Sequence, residues 1–229
     1  HRSIIIPSIS NGICEINNIL KSEDVIHTVN AFKNMGVKIE ESSKKLIVYG
    51  NGLNSLQKPK SEIFLGNSGT SARLLTGLLS SQKFDSVLKG DDSLSKRPME
   101  RISNPLSKMN AIIRTSNGTL PMLIKGNNLK AININLEIPS AQIKSGIMLA
   151  SLNANGETNI TENKITRDHT ETMLKSFGAK ITVEKTKNKK IIKIIGKNEM
   201  QSQNIDVPND LSSSAFFIVC ALINKNSHI

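Results

Sequence analysis

The chain has 229 residues, and its 38% hydrophobic content can fill a real core, so it reads as a globular protein and not as a disordered or fibrous one. Lys and Arg number 30 against 19 Asp and Glu, a formal charge of +11 whose field attracts anions. With six Phe, one Tyr and no Trp, the stacking platforms of a single-strand nucleic-acid binder are hard to build, and nucleic acid is not expected as a partner.

Along the chain, helical and strand periods alternate, which predicts an α/β fold. "SEDVIHTVNAFKNMG" (22–36) carries Val25, Ile26, Val29, Phe32 and Met35 at helical spacing, with Ser22 as its cap and Gly36 as its stop. Two short strands follow, "VKIEE" and "KLIVYGN". The same order recurs in "MERISNPLSKMN" with "AIIRTS" and "LPMLIKG", and again in "DHTETMLKSFG" with "AKITVEKT" and "KKIIKIIG". The stops Gly36, Asn110 and Gly178 lie about seventy residues apart, the signature of an internal repeat. A second helix type alternates with the first: "NSGTSARLLTGLLSSQ", "SAQIKSGIMLASLNA" and "DLSSSAFFIVCALI". Rich in Ser, Ala and Gly and apolar nearly all round, these are predicted to pack inside. Each unit then reads as strand, buried helix, strand, amphipathic helix and two strands. About three units are expected, over residues 1–205, with the small-residue helices central and the sheets outside. "NIDVPNDLSSSAFFIVCALI" is read as opening a further unit at 206–229, and both ends of the chain look cut. Its apolar run "AFFIVCALI" is too short to cross a bilayer, no targeting segment is visible, and a cytoplasmic protein without a membrane partner is expected. Cys14 and Cys220 sit in apolar segments without metal-ligand spacing and are predicted to be buried, reduced thiols.

Chemistry is expected at the starts of the small-residue helices, where first-turn amides lack intrahelical partners and the helix dipole favours an anion. In "GNSGTSAR", Gly66 and Gly69 remove bulk, Asn67, Ser68 and Thr70 add short polar groups, and Arg73 follows one turn later. A plain structural reading stands beside this one: Ser68 caps the helix and Arg73 reaches solvent. "GDDSLSKRPMERI" gathers Lys96, Arg97 and Arg101, with Pro98 starting a helix, and arginine's planar fork suits phosphate or carboxylate. "EIPSAQIKSG" repeats the small-polar helix start with Ser140, Gln142 and Lys144. In "TRDHTE", Arg167 precedes an Asp168 cap, and Glu171 stands where a capping box would place it.

These segments, "LGNSGTSARLLTGLL", "DDSLSKRPMERI", "IPSAQIKSGIMLASLNANGETNI", "TRDHTETMLKSFGA" and "DVPNDLSSSAFFIVCALI", resemble in order and spacing the 5-enolpyruvylshikimate-3-phosphate synthase family. "HRSIIIPSISNG" resembles the stretch just after that family's N-terminal lysine motif, so the likeness runs the whole length. The resemblance implies transfer of the enolpyruvyl group of phosphoenolpyruvate to the 5-hydroxyl of shikimate 3-phosphate, with no metal or organic cofactor. It implies two domains of three βαβαββ units each, closing on substrates in a cleft. Carried over, Arg2, Ser140, Ala141, Gln142 and Arg167 would hold shikimate 3-phosphate. Gly69 and Arg97, with Gln142 between the substrates, would hold phosphoenolpyruvate, while Asn67, Thr70 and Arg73 form a pocket wall. The active-site lysine would precede His1, and the other proton-moving groups would lie in a C-terminal half. Their absence implies a chain that binds without turnover, because such groups contribute about 10² to 10⁴ in rate. Two other readings are a UDP-N-acetylglucosamine enolpyruvyl transferase, whose usual loop cysteine is missing from "DDSLSKRP", and a non-catalytic anion-binding module.

Overall fold

The structure is a computed structural model that describes residues 1–42, 45–209 and 211–228, the side chains of 211–213 apart. The first unit comprises α1 (Arg2–Ser8), β1 (Asn11–Asn17), α2 (Glu23–Asn34), β2 (Lys38–Glu41) and β3 (Lys45–Asn51). The second comprises β4 (Ile63–Phe64), α3 (Gly69–Ser80), β5 (Ser86–Lys89), α4 (Glu100–Lys108), β6 (Ile112–Ser116) and β7 (Thr119–Lys125). The third comprises β8 (Asn133–Leu136), α5 (Ala141–Ser151), β9 (Glu157–Glu162), α6 (His169–Ser176), β10 (Ile181–Lys185) and β11 (Lys190–Ile195). β12 (Ile205–Asp206) and α7 (Leu211–Ile223) follow.

The repeat is exact enough to reproduce one sheet three times. The four-stranded orders are β12-β1-β3-β2, β4-β5-β7-β6 and β8-β9-β11-β10, each with one parallel pair and then antiparallel neighbours. The strand that opens units two and three is supplied to the first sheet from far along the chain, where Ile205 and Asp206 pair with Ile16 and Asn17. The repeated stops share a backbone cause: Gly36, Asn110 and Gly178 all take positive φ, at 85°, 73° and 91°. Glycine and asparagine tolerate that conformation where a helix must turn into a strand.

The central layer explains the small residues. α3 and α5 are buried along nearly their whole length, so their hydroxyls must be satisfied inside. Thr76, Ser80, Ser145 and Ser151 each donate to the carbonyl four residues back, at 2.6–2.7 Å. The two helices touch backbone to backbone: a Cβ on Gly77 would stand 1.8 Å from the Gly146 carbonyl oxygen. Close approach at this point aligns the starts of α3 and α5 at one end of the molecule.

The structure corrects several expectations. The third central helix is the short α1, packed on β3 so closely that a Cβ on Gly50 would lie 2.1 Å from the Pro7 carbonyl oxygen. α7 is not buried: Phe216 is 82% and Leu222 79% exposed, and Cys220 is exposed while Cys14 is buried. Ile26 leaves the predicted stripe of α2, where Thr28 is buried instead. Ser22 precedes α2 without a side-chain cap bond, and α4 begins at Glu100, two positions after Pro98. Among the described residues no helix is long and apolar enough to cross a membrane.

Candidate functional site

Three helix starts converge. α1 brings Arg2, α3 brings Gly69 and Thr70, and α5 brings Ala141 and Gln142. Ser68 caps α3 by accepting from the Ser71 amide at 3.2 Å, and Ser140 caps α5 by accepting from Ile143 at 3.4 Å. Both serines therefore do the structural job the sequence allowed, and neither excludes a ligand at the remaining amides.

Arg73 does not run out to solvent. Its Nη1 donates to the Gly69 carbonyl at 3.0 Å and to Gln142 Oε1 at 3.1 Å, while Gln142 Nε2 donates to Thr70 Oγ1 at 2.9 Å. The amide of Gln142 is thus fixed from both ends and joins α5 to α3. Arg97 comes from the loop before α4 and donates through Nη2 to Asn67 Oδ1. Gly69 leaves room for both guanidinium groups: a Cβ there would stand 2.8 Å from Arg73 Nη1 and 3.0 Å from Arg97 Nη1 and would push these side-chain ends aside. Burial, then the neighbouring charges of Arg97 and Arg101, lowers the Arg73 pKa from its ordinary value. Lys96 and Arg101 themselves are exposed.

A second pair of cations lies across Gln142. Arg2, Thr70, Ala141, Gln142, Arg167 and His169 line a cavity of about 100 Å³. Arg2 is held by hydroxyls that the sequence reading did not single out: Nε donates to Thr170 Oγ1 at 2.6 Å and Nη2 to Ser145 Oγ at 3.2 Å, and those two hydroxyls are 2.6 Å apart. Their signal was the i+4 and i+3 spacing of Ser145 and Thr170 from Ala141 and Arg167, legible only once the helices were placed side by side. Burial first, and Arg167 second, lowers the Arg2 pKa, while Glu171 opposes the fall. A site that lines one cavity with two guanidinium groups, Arg2 partly desolvated and Arg167 exposed, is suited to an anion that neutralises both.

The capping-box reading of "TRDHTE" does not hold. Asp168 makes no side-chain cap bond, and Glu171 turns into the core, 4% exposed, against Lys144 at 2.7 Å and Lys190 at 2.8 Å. A larger cavity of about 640 Å³ lies at the opposite ends of α3 and α5, lined by asparagines such as Asn11, Asn51 and Asn153 and by no arginine. It contains none of the candidate residues.

Comparison with known proteins agrees with this architecture. Residues 1–229 match the family model described as EPSP synthase (3-phosphoshikimate 1-carboxyvinyltransferase). The 3-phosphoshikimate 1-carboxyvinyltransferase of Ruthia magnifica is 51% identical over 230 residues, which cover all of this chain and 52% of that protein. Its counterpart in Leuconostoc citreum is 45% identical, again over the whole chain and 53% of the relative. A solved structure of EPSP synthase from Acinetobacter baumannii superposes with a TM-score of 0.88 at 49% identity, covering 96% of this chain and 50% of that one. The chain spans about half the length of the curated relatives it matches. With a family match over every residue, a repeated sheet and a shared fold, the chain belongs to the EPSP synthase family.

Proposed function

We propose that this chain is one substrate-binding half of an enzyme that transfers the enolpyruvyl group of phosphoenolpyruvate to the 5-hydroxyl of shikimate 3-phosphate, a step of aromatic amino acid biosynthesis in the cytoplasm. One arrangement carries the reading: two arginine pairs, Arg2 with Arg167 and Arg73 with Arg97, stand on either side of the doubly held Gln142. Each substrate brings one phosphate, and each pair offers it a place. In this reading Arg2, Ser140, Ala141, Gln142 and Arg167 receive shikimate 3-phosphate. Gly69 and Arg97 receive the phosphate of phosphoenolpyruvate, with Gln142 reaching both substrates and Asn67, Thr70 and Arg73 forming a pocket wall. The bare backbone at Gly69 lets a ligand approach the two guanidinium groups, and preorganised donors of this kind stabilise charge at no reorganisation cost.

Residues 1–205 form the three-unit domain in this reading, and 206–229 lead into a second half like the one the relatives possess. The exposed apolar side chains of α7 suit such a neighbour. The groups that move protons are assigned to that second half and to the family's lysine before His1, so the chain alone binds and orients without turnover.

Calorimetric titration of the 229-residue chain tests the reading. Saturable one-site binding of shikimate 3-phosphate is expected, with none of UDP-N-acetylglucosamine and no phosphate release from both substrates. Preference for the UDP-sugar would reassign the chain to the sister transferase, and absence of shikimate 3-phosphate binding would overturn the proposal. Phosphate release on adding the remaining half of the Ruthia magnifica relative would distinguish half an enzyme from a binding module.

A further inference from the structure

Behind the candidate site lies a closed set of four charges that the proposed chemistry does not use. Lys144 from α5, Glu162 from β9, Glu171 from α6 and Lys190 from β11 are 0%, 1%, 4% and 3% exposed. Each ammonium meets the same two carboxylate oxygens. Lys144 Nζ lies 3.0 Å from Glu162 Oε2 and 2.7 Å from Glu171 Oε1; Lys190 Nζ lies 2.9 Å and 2.8 Å from those same atoms. The set is electrically balanced, two against two.

Each lysine has a third donor, and both third donors go to one loop. Lys144 Nζ donates to the Arg167 carbonyl at 2.9 Å, and Lys190 Nζ reaches the Thr166 carbonyl at 3.5 Å. Glu162 completes the grip through Oε1, which accepts from the Thr166 amide at 3.3 Å and from the Thr166 hydroxyl. An ammonium has three donors, so neither lysine has capacity left over. The segment held this way has no regular structure, and Ile165, Arg167 and Asp168 are exposed. Yet Arg167 must stand beside Arg2, a like charge that would drive it outward. One residue before Glu171 in the chain, Thr170 takes the Nε hydrogen bond of Arg2. The same helix turn therefore faces the ion cluster on one side and Arg2 on the other.

Burying four charges is a poor route to stability, since well-packed apolar residues usually serve as well or better. A role in geometry accounts for what stability does not. We infer that the Lys144, Glu162, Glu171 and Lys190 cluster is a positioning device that clamps the Thr166 and Arg167 backbone, so that Arg167 stays opposite Arg2 when no anion is present. Its use for shikimate 3-phosphate rests on the proposed function; the clamp on the loop does not.

The paired variant Lys144→Met/Glu171→Gln keeps the cluster neutral while removing the hook on Arg167. Exchange of the Thr166 amide, which donates to Glu162 Oε1, should accelerate about tenfold, as expected when a local opening loses a hydrogen bond to a charged group, while Ile143 and Ser145 in α5 stay protected. Affinity of the full chain for shikimate 3-phosphate should fall about tenfold, yet by less than about twofold when the pair is placed in an Arg167→Ala background, because residues that act through one another are not additive. Unchanged exchange at Thr166, or an equal loss of affinity in both backgrounds, would overturn the inference. If the unmodified chain does not bind shikimate 3-phosphate, the proposed function fails and exchange alone decides the clamp. Should the pair not fold, Thr166→Val removes the hydroxyl hook without touching a charge, and the same two outcomes apply to the amide at position 166 and to affinity.

Discussion

Substituting Gly77→Ala tests whether the α3 and α5 backbones set the geometry of the site. By helix propensity alone the change should stabilise, by about 1 kcal/mol. The added methyl, however, would sit 1.8 Å from the Gly146 carbonyl oxygen, and ordinary contact begins at 3.4 Å, so the helices must separate by about 1.6 Å. The obstacle is backbone on both sides, with no flexible side chain to yield. Overpacking of that kind costs about 3 kcal/mol, at the upper end of its usual range. Separation also stretches the Gln142 bonds to Thr70 and Arg73, now 2.9 and 3.1 Å, worth about 1 kcal/mol each. The unfavourable terms outweigh the propensity gain, and a net loss of about 3 kcal/mol or more is expected in urea unfolding of the full chain followed by far-ultraviolet circular dichroism. Gly178→Ala is the matched comparison, because its Cβ would meet nothing within 4 Å. There only the φ of 91° is strained, at about 1 kcal/mol. A Gly77→Ala midpoint equal to or above the unmodified one would refute the reasoning.

Three further outcomes are expected. In the chain combined with the second half of a relative, Arg97→Ala should weaken phosphoenolpyruvate use by about 1.5 to 3 kcal/mol and leave shikimate 3-phosphate nearly untouched, with Arg167→Ala doing the reverse; equal loss for both substrates would show the two arginines misplaced. Gly69→Ala should keep the fold, since the atoms it meets are the ends of two arginines, but weaken phosphoenolpyruvate selectively; unchanged steady-state kinetics would count against that pocket. Burial pushes the Glu162 carboxyl up, but hydrogen bonds from Thr166, Lys190 and Lys144, with the Lys144 charge, together outweigh it and hold the group below its ordinary value of 4.5. A carboxylate depressed by folding stabilises fully above its unfolded value and loses that contribution as pH falls through the folded one. The melting temperature should therefore hold from neutrality to about pH 5 and drop below it, less steeply in Glu162→Gln, and a flat profile down to about pH 3.5 would contradict this.

What the sequence determined by itself was periodic and local. The recurring helix, stop and hairpin could be read because amphipathic spacing and positive-φ stops at Gly36, Asn110 and Gly178 leave a mark in adjacent residues. The family likeness and the candidate arginines could be read for the same reason, since each motif is contiguous. Partners far apart in the chain leave no such mark. That β12 would complete the first sheet, that α1 and not α7 would be the third central helix, and that Arg73 would turn inward to Gln142 depended on which surfaces met. Glu171 shows the difference most plainly. Its spacing from Asp168 fits a cap, but two lysines from α5 and β11 offer it a stronger partner than a backbone amide could. Local spacing proposes such pairings, and the tertiary structure chooses among them, because a buried charge goes to whatever opposite charge the packing brings within reach.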